Sequence, residues 1–124
     1  MRTRACGLIR RDGKVLLQRK RTDVVWALPG GGVEHGETAD AALRREFLEE
    51  LGWDVRVGSL VQKLENRFVL EGEDVLQAEL YYEVFCASPL GKPREEILEF
   101  RWLSQHDMRQ ADVRPIAIRE ILFS

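Results

Sequence analysis

The strongest constraint on the fold lies at residues 29–53, where a broken stretch gives way to an uninterrupted one. Pro29 with Gly30, Gly31, Gly32 and Gly36 leaves no sustained hydrophobic period, so this part reads as an irregular loop. A loop of this kind inside so short a chain suggests function. Thr38 then offers a helix cap, thirteen residues free of Gly and Pro follow, and Gly52 stands where a left-handed residue ends a helix. The predicted helix covers residues 39–51. Leu43, Phe47 and Leu51 recur every four residues and form its buried stripe. Glu46, Glu49 and Glu50 lie alongside, turned partly toward solvent or a cleft. Glu46 neighbours both of the others on the helix surface, and like charges at that spacing cost about 0.2–0.5 kcal/mol per pair. Helix formation alone gives no reason to keep them.

The flanks read as strands. "TRACGLIRR" and "KVLLQRK" on either side of Asp12-Gly13 predict a hairpin from Thr3 to Lys20. "WDVRVGSLVQKLENRFVL" and "DVLQAELYYEVFCAS" predict a second hairpin about the polar turn "EGED". "SPLGKPREE" is a Pro/Gly-broken loop and "ILEFRWLS" a further short strand. "RPIAIREILF" has helical spacing, with Ile116, Ile118, Ile121 and Leu122 predicted as core. No repeat or linker interrupts residues 1–124, which predicts a single domain.

Nineteen basic residues against 21 acidic ones give a net charge of −2, too little field to attract a nucleic-acid polymer or an anionic membrane. The opening "MRTRACGLIRR" holds no apolar run of signal-peptide or membrane-span length, which points to a cytoplasmic protein. Cys6 and Cys86 sit among apolar residues and are expected to be buried thiols. His35 and His106 lack metal-ligand spacing to any second His or Cys and are expected on the surface.

Taken as spacing, the central segment runs Gly31, five residues, Glu37, seven residues, Arg45-Glu46, Phe47, Leu48, Glu49-Glu50, Leu51, Gly52, Trp53. This resembles the Nudix hydrolase signature G-x5-E-x7-R-E-U-x-E-E-x-G-U, where U is bulky and apolar. All charged and glycine positions match, and Phe47 and Trp53 occupy the U positions. "WALPGG" before it and "LEFRWL" after it also look like landmarks of that family, so the resemblance spans most of the chain. It implies an α/β/α sandwich with a mixed central sheet, and small MutT-like members that act on nucleoside triphosphates, oxidised ones included.

The resemblance further implies a pyrophosphohydrolase that needs Mg²⁺, with Mn²⁺ as an alternative. Three carboxylates at i, i+3 and i+4 are hard oxygen donors of the kind such cations take. By resemblance Glu46, Glu49 and Glu50 are the metal-site carboxylates, with Gly31 close by, and one of them or a later glutamate acts as general base. Glu96 has the family's spacing before Trp102, with Glu95 and Glu99 as alternatives. Glu37 and Arg45 are assigned to holding loop and helix together, Arg45 beside the catalytic glutamates, and Gly52 to closing the motif. Gly31 and Gly32 let backbone approach phosphate.

Arg19 could reach a phosphate or be a solvated strand end, and Trp26 could stack on a base or pack beside the loop. Phe68, Tyr81 and Tyr82 could line a base pocket, though strand aromatics more often belong to a core. Among substrates, the runners-up are ADP-ribose or another nucleotide sugar and dinucleoside polyphosphates. A noncatalytic nucleotide-sensing module is the rival from another class, expected to have lost box carboxylates that this chain retains. Monomer and homodimer both stay open.

Overall fold

A computed structural model describes residues 2–87 and 97–123. A four-stranded mixed sheet is built from β1 (Arg2–Leu8), β5 (Gly30–Gly32), β6 (Arg56–Leu70) and β7 (Glu73–Phe85), in the order β5-β1-β7-β6. A second sheet, β2-β3-β8, joins Arg10–Arg11, Lys14–Lys20 and Leu98–Ser104. β4 (Val25–Trp26) pairs in parallel with β9 (Asp112–Val113). Helix α1 (Ala39–Leu51) packs on the mixed sheet, while α2 (Gln105–Gln110), a 3-10 turn (Ile116–Ile118) and α3 (Arg119–Leu122) follow the last long strand.

β1 organises these layers. Ala5, Cys6, Gly7 and Leu8 are all buried, so this strand is covered on both faces and needs partners on both edges. It finds β5 antiparallel on one side and β7 parallel on the other. Alternation then sends Ala5 toward α1, where Leu43, Phe47, Leu51 and Trp53 complete one core. Cys6 and Leu8 point the other way, into a core with Leu17, Trp26, Leu28, Tyr81, Met108 and Leu122. Full burial of side chains such as Leu43 and Phe47 is worth about 1.5–3 kcal/mol each.

The first predicted hairpin needs correction. Asp12-Gly13 does turn the chain, but only Arg10–Arg11 pairs across it with β3, and β1 leaves for the other sheet. An edge position in a simple hairpin would have left one side of its buried run uncovered. The second hairpin forms as β6 and β7, turning at Glu71-Gly72. At the C-terminal end the predicted single helix is a 3-10 turn followed by four α-helical residues. Ile118 and Leu122, four apart, are core, whereas Ile116 is 70% exposed, because residues two apart on a helical turn do not share a face. Cys6 is buried as expected, while Cys86 is only partly so, and both thiols are free. Tyr81 lies in the core, Phe68 and Tyr82 are half-buried, and both histidines are exposed.

Candidate active site

Local chemistry fixes the ends of α1. Thr38 accepts a hydrogen bond from the Ala41 amide, and Gly52 takes the left-handed conformation, φ 73°, while its N–H donates to Leu48 O. Between these caps the helix presents Arg45, Glu46 and Glu49 toward the loop that precedes it.

Arg45 is the hub. Its Nε donates to Glu37 Oε2 at 2.7 Å and its Nη2 to Glu37 Oε1 at 3.0 Å, a two-pronged contact that ties loop to helix. Nη2 also donates to the Gly32 carbonyl at 3.0 Å. Nη1 lies 3.0 Å from Glu46 Oε1 and 3.3 Å from Glu49 Oε2. One guanidinium thus offsets part of the repulsion among the glutamates, since it is within hydrogen-bond reach of two of them. Its hydrogen bonds to Glu37 hold it charged well above the ordinary arginine range. In return, Arg45, together with the Glu34 amide, brings the Glu37 carboxyl down to about 2. Glu34, 3.8 Å from Arg45, is a member of the cluster that sequence reasoning missed; its place three residues before Glu37 was the available signal.

Gly31 completes the geometry through what it lacks. A Cβ at that position would collide with the carboxyl group of Glu46. Glu46 therefore lies directly against the β5 backbone, and its side chain is 15% exposed, against 59% for Glu49. Glu50 is half-buried.

The donors fit a hard divalent cation in kind, since each of Glu46 and Glu49 turns one oxygen to Arg45 and has a second that takes no part in that contact. Among the described residues no three His, Cys, Asp or Glu side chains are gathered closely enough to enclose a metal.

Other candidates separate from this cluster. Arg19 pairs with Glu99 at 3.2 Å, and its guanidinium covers the Trp26 ring at 4.4 Å from the centroid. Trp26 is 5% exposed and packs in the core, so of its two readings, stacking on a base or packing beside the loop, the geometry fits packing. Glu99 also pairs with Arg101 at 3.0 Å and does not join the box carboxylates. Glu95 and Glu96 lie outside the described residues.

On the sheet face opposite α1, sequence reasoning missed Glu79, a buried carboxylate on β7. It accepts from the Tyr81 hydroxyl at 2.5 Å and from Asn66 Nδ2 at 2.9 Å, and with Cys6 it lines a cavity of about 380 Å³. Burial raises the Cys6 thiol to about 11, and burial together with Glu79 also drives the Tyr81 phenol upward, so both are neutral. No pattern local to the sequence marks this group, since it depends on β1 and β7 lying side by side.

Comparison with known proteins agrees with the geometry. The NUDIX domain family model matches residues 1–122. The chain is similar to the nucleoside triphosphatase NudI of Escherichia coli O139:H28, at 32% identity over 98% of this chain and 94% of that protein. It is also similar in structure to a MutT NUDIX hydrolase from Burkholderia pseudomallei, with a TM-score of 0.78 and 27% identity over 99% of this chain and 98% of that one. The solution structure of the E. coli ORF135 protein aligns with a TM-score of 0.71 and 28% identity, covering 98% and 86% of the two chains.

Proposed function

The chain belongs to the NUDIX domain family, a family of hydrolases, and from that premise we propose that it is a pyrophosphohydrolase that opens the diphosphate linkage of nucleoside triphosphates, normal or oxidised. The observation that carries this reading is the convergence of Glu37, Glu46, Glu49 and the Gly32 carbonyl on Arg45, with Glu46 seated against Gly31. Similarity to a protein described as a nucleoside triphosphatase, over nearly the full length of both chains, supports the substrate class.

In this reading Glu46, Glu49 and Glu50, which do not already enclose a metal-sized site, would be the residues to hold Mg²⁺, or Mn²⁺, and the bound ion would supply neutralisation of phosphoryl oxygens and a more acidic water. The chain's own residues do the rest. Arg45 holds the carboxylates of Glu46 and Glu49 in position through its Nη1, which limits reorganisation when substrate arrives. The bare backbone at Gly31 and Gly32 lets a phosphate chain approach closely. One carboxylate of the cluster accepts the proton of the attacking water, phosphorus gains an oxygen, and the bridging P–O bond breaks to give a nucleoside monophosphate and pyrophosphate.

The test is product release by the purified protein with Mg²⁺ or Mn²⁺ against nucleoside triphosphates, 8-oxo derivatives, ADP-ribose, nucleotide sugars and dinucleoside polyphosphates, with Glu49→Gln alongside. Turnover of triphosphates that the variant loses by about 10²-fold or more supports the proposal. Turnover confined to ADP-ribose, nucleotide sugars or dinucleotides overturns the substrate assignment. Silence across the panel, with nucleotide still binding, overturns the enzyme.

A further inference from the structure

Glu79 is 8% exposed, and although Arg4, its neighbour across the β1–β7 ladder, and Arg114 line the same cavity, neither is ion-paired with it. Its partners are two neutral donors, Asn66 and Tyr81, and it makes no ion pair among the described residues. A buried carboxylate is ordinarily paired with a cation or fully supplied with donors. Here each oxygen accepts one bond, and an ionised carboxylate has about four acceptor sites. Its remaining demand is for two N–H donors set side by side, at the wall of a cavity of about 380 Å³. A cavity of that size lies in the range of small-molecule sites.

Position links the cavity to the box. Arg4 and Cys6 on β1 pair with Gly32 and Gly30 on β5, and with Glu79 and Tyr81 on β7. Glu79 is therefore two strands from Gly32, about 10 Å across the sheet. A nucleotide whose phosphates rest at the glycine strand can place its base on the face opposite α1, beside Glu79.

We propose that Glu79 is the specificity-determining residue of this site and selects a 2-amino-6-oxopurine, the guanine edge, through paired hydrogen bonds from N1–H and N2–H to its two oxygens. Among the common bases guanine alone presents two adjacent N–H donors without an intervening acceptor; adenine and cytosine set an acceptor beside the amino group, and uracil flanks its single N–H with carbonyls. Oxidation at the 8-position leaves that edge intact. Asn66 and Tyr81 act as positioning residues that hold the carboxylate for a two-pronged, charge-assisted contact. This inference rests on the nucleotide reading of the site.

The experiment compares GMP with IMP, which differs only by the missing 2-amino group, by calorimetric titration in metal-free buffer. Wild-type protein is expected to prefer GMP by about tenfold or more, the effect of one hydrogen bond to a charged group. The preference is expected to collapse toward parity in Glu79→Gln, whose amide replaces one acceptor by a donor, with folding checked by thermal unfolding. A purely structural Glu79 would change stability without moving the ratio. Equal wild-type affinities overturn the inference, and that comparison needs no variant; so does a GMP preference that survives in Glu79→Gln. Turnover of triphosphates with GMP/IMP parity defeats this inference alone, whereas GMP preference without any hydrolysis defeats the enzyme reading and leaves the selector standing.

Discussion

Two carboxylate sites on opposite faces of one sheet are held in opposite ways. At the box, a single guanidinium stands within hydrogen-bond reach of Glu37, Glu46 and Glu49, and the outermost of these is well exposed. At Glu79 the carboxylate is buried and its donors are a phenol and an amide. The first arrangement tolerates the accumulation of like charge and suits a site that must meet a cation and a polyanion. The second leaves a buried carboxylate with two direct donors, where each added donor is worth more than it would be in water. Shared sheet geometry thus supports both a phosphate end and a base-reading end.

The contrast breaks most sharply at Glu49. Glu49→Gln is expected to lower kcat by about 10²-fold or more while the fold persists, because the side chain is exposed and makes a single contact with Arg45. Steady-state kinetics at saturating metal, paired with circular dichroism, would check it; near wild-type turnover would remove Glu49 from the chemistry.

Gly31→Ala comes next. The new methyl meets the flexible end of Glu46, which must swing away, so loss of turnover is expected with only a small change in stability. Denaturant unfolding separates the two effects.

On the other face, Tyr81→Phe removes a donor from Glu79 and is expected to cost about 1–3 kcal/mol in unfolding free energy. A change well below that range would mean that the phenol does little to hold the carboxylate.

The smallest effect is acid sensitivity. Glu37 has its folded-state value lowered from 4.5 to about 2 by Arg45, so its contribution is complete above about 4.5 and is lost as pH falls through about 2. Unfolding midpoints measured across that window should fall with acidification, and more gently in Glu37→Gln than in the parent protein.

What could be read in advance follows from how local the cause is. Helix α1 was legible to the residue because Thr38, the Leu43-Phe47-Leu51 stripe and Gly52 act within a few turns of one another. The α2 cap, Ser104 with Asp107, carries a similarly local signal but sits in a short element without an apolar stripe, and it was passed over. β1 was mispaired because its partner lies some 75 residues downstream in β7, and nothing near Asp12-Gly13 announces that. Glu79 and Tyr81 were unreadable as a pair with Cys6 for the same reason. Arg45 and Glu37 could be assigned to each other because eight residues separate them across a loop and a helix start, whereas the contact of Gly31 with Glu46 depends on how β5 lies against α1. Trp26 stayed undecided between stacking and packing because its burial, and the cover Arg19 gives its ring, depend on elements distant in sequence.

The seat that Gly31 leaves for Glu46 makes two distant letters of the sequence a single heritable unit. Any lineage of this chain that acquires a side chain at 31 displaces the carboxylate at 46, and with it one of the groups gathered on Arg45. Substitution at 46 to a smaller residue would in turn release the constraint on 31. The two positions are therefore coupled: what either can become depends on which residue stands at the other.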